Sequence, residues 1–261
     1  MEKGSIVNMI FQMNSIPAKN QMFLIVKNVF MTMGFANTNM AINVQNIIIL
    51  LINMKVLELF AGSRSIGKAT EQMGGVSFSS DIEQFGRIDY VVDILDFDYK
   101  NVPFIPDVIW ASPPCTSFSV ASIGTHWGGG YRGYEPKTEG ALLGMKLVQK
   151  TIEIIDYYQK LNPNLIWYIE NPRGVLRKLD VVKLLPIRHT ITYCQYGDER
   201  MKPTDIWTNN EKWIPKPMCK NGMPCHVSAP RGSKTGTQGR KGSYERSMIP
   251  EQLCNEVLQT T

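Results

Sequence analysis

The stretch Met54-Lys55-Val56-Leu57-Glu58-Leu59-Phe60-Ala61-Gly62-Ser63-Arg64-Ser65-Ile66-Gly67 decides how the rest of the chain is read. Its first half is a compact, mostly apolar run with the pattern of a short buried strand. Its second half carries glycines at 62 and 67, which permit a tight turn and a helix start whose backbone amides can face a ligand's polar groups. No Gly-Lys-Ser/Thr follows at the spacing of a phosphate loop, so this is a different kind of turn.

Working outward, strand-like runs at 55–60, 76–80, 90–92, 108–111 and 165–169 alternate with helical stretches, the clearest at 138–161 with Leu142, Leu143, Leu147, Ile152 and Ile155. This alternation predicts an α/β fold with a mostly parallel sheet covered by helices on both faces. Two further strands, 190–196 and 205–208, extend it. Ligands of such sheets lie at the carboxyl ends of the strands, so the residues after each strand are the candidates for function.

After the second strand stands Asp81, 19 residues beyond Gly62, placed like the acid that binds ribose hydroxyls in nucleotide-binding sheets. After the third stands Asp93, placed to accept from an adenine amino group. A turn followed by two strand-end acids points to a nucleoside-bearing cofactor. The fourth strand ends in Ala111-Ser112-Pro113-Pro114-Cys115-Thr116-Ser117-Phe118-Ser119. Its two prolines fix the backbone before Cys115 and expose the thiol at the sheet edge, and the glycine-rich segment 124–133 that follows is suited to closing over a substrate. A free thiol has a pKa of about 8.5, so a nucleophile there needs a neighbour that favours thiolate. The fifth strand ends in Glu170-Asn171-Pro172, which in a parallel sheet brings a carboxyl group near Cys115.

Composition narrows the class. The chain has 261 residues, 43% hydrophobic and 20% charged, which is neither disordered nor collagen-like. Its longest purely aliphatic run is the six residues Ile47 to Ile52, against about 18 for a membrane span. A cytoplasmic protein is expected, and five cysteines without a paired spacing favour a reducing compartment.

Residues 1–53 are unlike the remainder, with seven of the 14 methionines and only four charged residues. Met54 is the expected natural start, and 1–53 an atypical N-terminal extension. Charge is also uneven. The segment 211–246 holds eight basic residues against Glu211 and Glu245, net +6 in 36 residues. Rich in Gly and Pro, it reads as an irregular basic loop suited to a polyanion. Within it Cys219, Cys225 and His226 offer three zinc-type ligands at a non-standard spacing, with Cys194 or Cys254 as a fourth. Ordinary packed or free thiols are the preferred reading, and no metal is assigned. His126 and His189 read as structural or solvent-facing.

Together these segments resemble the cytosine-C5 DNA methyltransferases, in a small phage- or prophage-type form. Leu57-Glu58-Leu59-Phe60-Ala61-Gly62 resembles the family's cofactor loop, Pro113-Pro114-Cys115 its Pro-Cys nucleophile motif, and Glu170-Asn171-Pro172 its Glu-Asn-Val motif. Gln195-Tyr196-Gly197 with Arg200 and Lys202 is similar to the segment that carries active-site basic residues. Arg246-Ser247-Met248-Ile249-Pro250-Glu251-Gln252-Leu253 is similar to the last motif, which returns to the cofactor pocket. Pro172 replaces the usual valine, Ser65 stands near a usual glycine, and the recognition region is short.

The resemblance implies a Rossmann-like class I methyltransferase fold. Its parts would be a catalytic domain at 54–210, a short basic target-recognition region at 211–245 and a C-terminal helix at 246–261 that returns to the catalytic domain. It implies S-adenosyl-L-methionine as cofactor, held by Phe60, Ala61, Gly62, Ser63, Asp81, Ile82, Asp93, Ile94 and Pro113. It implies DNA as partner, presenting a flipped cytosine to Cys115, Glu170 and Arg200, with Asn171, Lys202, Arg231, Lys234 and Arg240 contacting substrate and the 116–134 loop as cover. A monomer with a cognate restriction nuclease, in a bacterial or phage-infected cell, completes the expectation.

Exocyclic-amine methyltransferases share Ser112-Pro113-Pro114, but their fourth position is an aromatic that stacks on the base, where this chain has Cys115. RNA cytosine methylation is a third enzyme reading; its main family resembles a two-cysteine pattern that has no counterpart at these strand ends. A catalytically silent DNA-binding module is the non-enzymatic alternative, disfavoured by the intact Cys115 and Glu170.

Overall fold

The computed structural model describes residues 53–129, 133–220, 222–227 and 242–261. The expectations placed on 1–52, on 130–132 of the glycine-rich loop and on Arg231, Lys234 and Arg240 lie outside the described residues.

In chain order the elements are β1 (Lys55–Leu59), α1 (Ser65–Gln72), β2 (Val76–Asp81), β3 (Tyr90–Val91), β4 (Val108–Ala111), α2 (Ile123–His126), β5 (Trp127–Gly128), β6 (Glu135–Pro136), α3 (Glu139–Leu161), β7 (Ile166–Pro172), β8 (Ile187–Thr192), β9 (Pro203–Thr208), α4 (Ser243–Ser247) and α5 (Glu251–Gln259). Seven strands form one sheet in the order β3-β2-β1-β4-β7-β9-β8, and β5 pairs with β6 in a small separate ribbon. Pairs β2/β3, β1/β2, β1/β4 and β4/β7 are parallel. β9 runs antiparallel to both its neighbours, β7 and β8. The expected α/β architecture with a mostly parallel sheet is therefore present.

The two faces follow from side-chain alternation along the strands. In β1, Val56 joins Ile66 and Ala69 of α1 and Leu253, Val257 and Leu258 of α5 on one face. Leu57 and Leu59 point to the other face, into a cluster with Val148, Ile154, Ile155 and Tyr158 of α3. α3 starts because the Thr138 side chain accepts from the Ala141 amide, with Glu139 in the first turn and Lys160 in the last complementing the helix dipole. Its buried face runs through Ala141, Gly144, Val148, Thr151, Ile155 and Tyr158 at three-four spacing, with Ile154 buried beside it, whereas Leu142 and Leu143 are exposed. Small residues lead that face because the loop after β4 lies against it: a Cβ on Gly144 would come within 2.6 Å of Ser117 Oγ.

Three expectations are corrected. The strand expected at 190–196 ends at Thr192, and Tyr193–Tyr196 form a single 3-10 turn closed by Gly197 at φ 85. β7 does not stop at 169, because β9 pairs with it through Pro172↔Thr204, so Glu170 and Asn171 lie inside the strand. The start of the basic segment is not an independent loop. Trp213 is buried, its indole donates to Glu256 Oε1 of α5 at 2.9 Å and its ring meets Tyr168 edge-on. Among the described residues no helix is long and apolar enough to cross a membrane.

Candidate active site

The loop after β1 is held in an unusual conformation. Phe60, Gly62 and Arg64 have φ of 54, 50 and 55, alternate residues in the left-handed region. Arg64 is buried and tied down, donating to Ser79 Oγ, Ser77 Oγ and Glu71 Oε1. The start of α1 has no side-chain cap of its own. Glu58 of β1 serves instead, accepting from the Ile66 and Gly67 amides at 3.1 and 2.8 Å. Burial pushes the Glu58 carboxyl up to about 7, against the pull of those amides.

Asp81, at the end of β2, accepts from the Gly62 amide at 2.9 Å and from the Glu83 amide at 3.0 Å, so the loop and the strand end brace each other. The C-terminal segment closes over the same loop. Ser63 donates its amide to Ser247 Oγ, and Ile249 donates its amide to Ser65 Oγ, both at 3.0 Å. The serine near a usual glycine position thus supplies a hydroxyl acceptor. Gly62 is where only glycine fits, since a Cβ there would meet Ser247 Oγ at 2.4 Å.

In front of this loop lies a cavity of about 370 Å³ between the strand ends and α3. Of the residues that the resemblance assigns to the cofactor, Phe60, Asp81, Ile82, Asp93 and Ile94 line it. Ala61, Gly62, Ser63 and Pro113 are not on its wall; the first three form the braced loop behind it and Pro113 is buried. The Asp93 carboxylate accepts from the Leu95 amide at 3.0 Å. Sequence reasoning missed the opposite wall, formed by His126, Gly140, Leu143, Gly144 and Leu147. The exposed Leu143 with Leu147 one turn on was the available signal. His126 does face a site, with Nδ1 2.6 Å from Thr138 Oγ1, whereas His189 stacks edge-on against Trp213.

The cavity reaches Pro114, Thr116 and Ser117, the loop that carries Cys115. Cys115 is partly accessible, and its carbonyl accepts from the Phe118 and Ser119 amides at 3.0 Å, closing a tight turn. Burial raises the Cys115 thiol's pKa, the Lys202 ammonium lowers it and Glu170 raises it further. Asn171 Nδ2 donates to the Pro113 carbonyl at 2.9 Å, fastening β7 to this loop. The first part of the 116–134 segment is anchored: the buried Trp127 donates its indole to the Ser117 carbonyl at 2.6 Å and stacks on Phe118.

Glu170 is buried and accepts at Oε1 from the Tyr193 hydroxyl at 2.9 Å and from Lys202 Nζ at 3.3 Å. Lys202 also lies over the Tyr193 ring, 4.5 Å from its centroid. Tyr193 was not singled out from the sequence, because it stood inside an expected strand. Arg200, expected with Cys115 and Glu170 at the flipped cytosine, is paired with Asp198, its Nε 2.9 Å from Oδ1 and its Nη2 2.5 Å from Oδ2. Nη2 also reaches the Met248 carbonyl at 3.3 Å, while Nη1 is buried without a partner among the described residues. Among the described residues the cation in contact with Glu170 is Lys202.

Of the cysteines, Cys254 is sealed in the core of α5, while Cys194, Cys219 and Cys225 converge with His226.

No family model matches the chain. It is 31% identical over 223 residues to the probable DNA (cytosine-5)-methyltransferase of Frog virus 3 (isolate Goorha), covering 78% of this chain and 99% of that protein. Among solved structures it is similar to a DNMT2 variant from Spodoptera frugiperda, at 18% identity and a TM-score of 0.37, covering 63% of this chain and 53% of that one. The Dnmt2 methyltransferase of S. pombe aligns at 14% identity and a TM-score of 0.38, covering 60% of this chain and 49% of that one. The chain thus spans about half the length of these structures.

Proposed function

The chain belongs to the DNA (cytosine-5)-methyltransferase family, and from that premise we propose that it methylates C5 of cytosine in DNA through a covalent adduct on Cys115, with S-adenosyl-L-methionine as donor. The observation that carries the reading is Glu170. It is a buried carboxyl group held by Tyr193 and Lys202 on the strand that Asn171 fastens to the Pro113–Pro114–Cys115 turn.

The cavity suits the cofactor by the chemistry of its walls. Apolar Phe60, Ile82 and Ile94 offer faces for a flat heterocycle, and Asp81 and Asp93 stand at successive strand ends as acceptors for hydroxyl and amino hydrogens. S-adenosyl-L-methionine, when bound there, supplies an electrophilic methyl group.

Cytosine C5 is a weak nucleophile, and the residues of this chain are arranged to strengthen it. The Cys115 thiolate adds to C6, forming a carbon–sulfur bond and placing electron density at C5. The Glu170 carboxyl, in its protonated form, donates from Oε2 to N3 and stabilises the charge that builds on the ring, and the proton returns to Oε2 when the ring is restored. Tyr193 and Lys202 both engage Oε1, leaving Oε2, which has no partner among the described residues, for the base. Once C5 has taken the methyl group, its proton passes to water and the carbon–sulfur electrons return to Cys115, restoring the ring. Reaching C5 and C6 requires the base to leave the stack. Asn171 keeps the Pro113 backbone in place during these steps, and Lys202 favours the thiolate over the thiol. The basic residues of 211–246 would hold DNA phosphates.

Mass spectrometry of nucleosides from a methylation-free host that expresses the protein tests the reading. 5-Methylcytosine is expected with Cys115 intact and absent in Cys115→Ala, whose DNA binding persists. N4-methylcytosine or N6-methyladenine would move the protein to the amine class. 5-Methylcytosine from Cys115→Ala would remove the covalent mechanism.

A further inference from the structure

We propose that Cys194, Cys219, Cys225 and His226 bind one Zn²⁺ ion in a closed tetrahedral S₃N site that clamps the start of the recognition segment to the turn after β8. The site is separate from the methyl-transfer chemistry and does not rest on the function proposed above.

The ligand atoms of these four residues all lie within 4.8 Å of one another. Cys219 Sγ is 3.1 Å from Cys225 Sγ and 3.5 Å from His226 Nδ1, and Cys225 Sγ is 3.7 Å from the same nitrogen. A tetrahedral zinc with Zn–S of about 2.3 Å and Zn–N of about 2.0–2.1 Å requires sulfur–sulfur edges of roughly 3.8 Å and sulfur–nitrogen edges of roughly 3.5 Å. The cluster meets those edges with shifts below about an ångström for its nearest pairs. It is not a disulfide. All five cysteines are free, and 3.1 Å is far longer than a sulfur–sulfur bond of about 2.05 Å.

The surroundings favour a metal over three ordinary thiols. The only polar contacts of the His226 ring among the described residues are the two sulfurs, because its Nε2 is buried without a partner. The donor set holds no carboxylate, which excludes the hard cations calcium and magnesium and suits zinc. Four protein ligands leave no open position for water, so the site is structural. Binding releases the three thiol protons and keeps the imidazole neutral, giving the Zn²⁺ with three thiolates a net charge of −1.

The protein already holds the ligands near each other by backbone contacts on either side. Cys219 donates its amide to Thr192 Oγ1 at 2.8 Å, Val227 donates its amide to the Glu199 carbonyl at 3.0 Å, and Lys216 Nζ reaches the Gln195 carbonyl at 3.1 Å. Cys194 directly follows Tyr193, whose hydroxyl donates to Glu170. A metal here would join the segment entering the basic stretch to the turn that positions the catalytic carboxyl group.

The test is the metal content of the tag-free full chain, purified without added metal, alongside Cys219→Ser, Cys225→Ser and, as a control cysteine outside the cluster, Cys254→Ser. About one zinc per chain is expected in the parent and the control, with at least a tenfold loss in the two cluster variants. Replacement by Co²⁺ should give the thiolate-to-metal absorption and visible bands of a tetrahedral site. Because a cluster variant can fail to fold, the parent chain carries a second reading: a chelator should make three further thiols reactive and lower its melting temperature. A parent chain with no zinc and no Co²⁺ spectrum overturns the proposal, as does an intact mass showing a Cys219–Cys225 disulfide, or full zinc in both cluster variants.

Discussion

Asn171 donates from Nδ2 to the main-chain carbonyl of Pro113 at 2.9 Å, joining two strand ends that are 58 residues apart in sequence. The two residues belong to different motifs, one carrying Glu170 and the other Cys115, the proposed nucleophile. Their hydrogen bond ties the strand end that carries Glu170 to the turn that carries Cys115. Asn171 is fully buried, and its Oδ1 has no partner among the described residues.

Asn171→Ala should therefore cost rate more than affinity. Loss of the clamp lets the Pro113–Cys115 turn shift, and a displacement of about 1 Å can cost on the order of 10²-fold in rate. Single-turnover methylation should fall by about 10- to 100-fold while the DNA dissociation constant changes little. An unchanged single-turnover rate would show that the turn holds its position without Asn171.

Lys202 should act on the protonation of Cys115. Its ammonium opposes the burial that raises the thiol's pKa, so removing it moves thiolate formation to higher pH. In Lys202→Met the rising limb of kcat/KM against pH should shift upward, giving roughly a tenfold loss at neutral pH that narrows as pH rises. Lys202→Arg should restore most of the profile. A loss of the same size at every pH would instead mark a purely structural role.

Glu58 gives a pH dependence of stability. Its carboxyl titrates at about 7 in the folded chain against an ordinary 4.5, so the folded state binds that proton more tightly. Its contribution falls as pH rises from 4.5 towards 7 and is then fully lost. The gap corresponds to about 3 kcal/mol. Denaturant unfolding of the parent and Glu58→Gln at pH 5 and pH 8 should show the variant gaining on the parent by about 2–3 kcal/mol over that interval. A constant difference between the two proteins would contradict the raised value.

Gly62→Ala tests the closure of the C-terminal segment over the proposed cofactor loop. Its Cβ would lie 2.4 Å from Ser247 Oγ, at a φ of +50. The variant should lose about 1–3 kcal/mol of stability and bind cofactor more weakly. Ser247→Gly in the same chain should recover the steric part and leave the backbone part. No recovery would mean that the contact does not limit the loop.

Much of this protein is legible along the chain because its pattern is local. The buried strand Lys55–Leu59, the turn at Gly62, the acids at Asp81 and Asp93, the rigid Pro113-Pro114 before Cys115 and the long helix with its Thr138 cap all depend on neighbours within a few residues. Side-chain period, turn chemistry and strand-end placement suffice to find them. The parallel run of β1, β2, β3, β4 and β7 follows from the same alternation.

What only the tertiary structure decided lies where β9 enters the sheet against the direction of its neighbours. Periodicity along a strand does not encode which way it will run beside another. That antiparallel insertion extends β7 to Pro172, sets Tyr193 and Lys202 on Glu170, and leaves Arg200 to Asp198. It also brings the Cys194 turn to Cys219, Cys225 and His226, a meeting that the chain's non-standard spacing does not announce. Contacts across more than 20 residues are set by packing the strands and their connections on a shared core. For that reason the sequence names the motifs, and the fold selects which of their side chains act together.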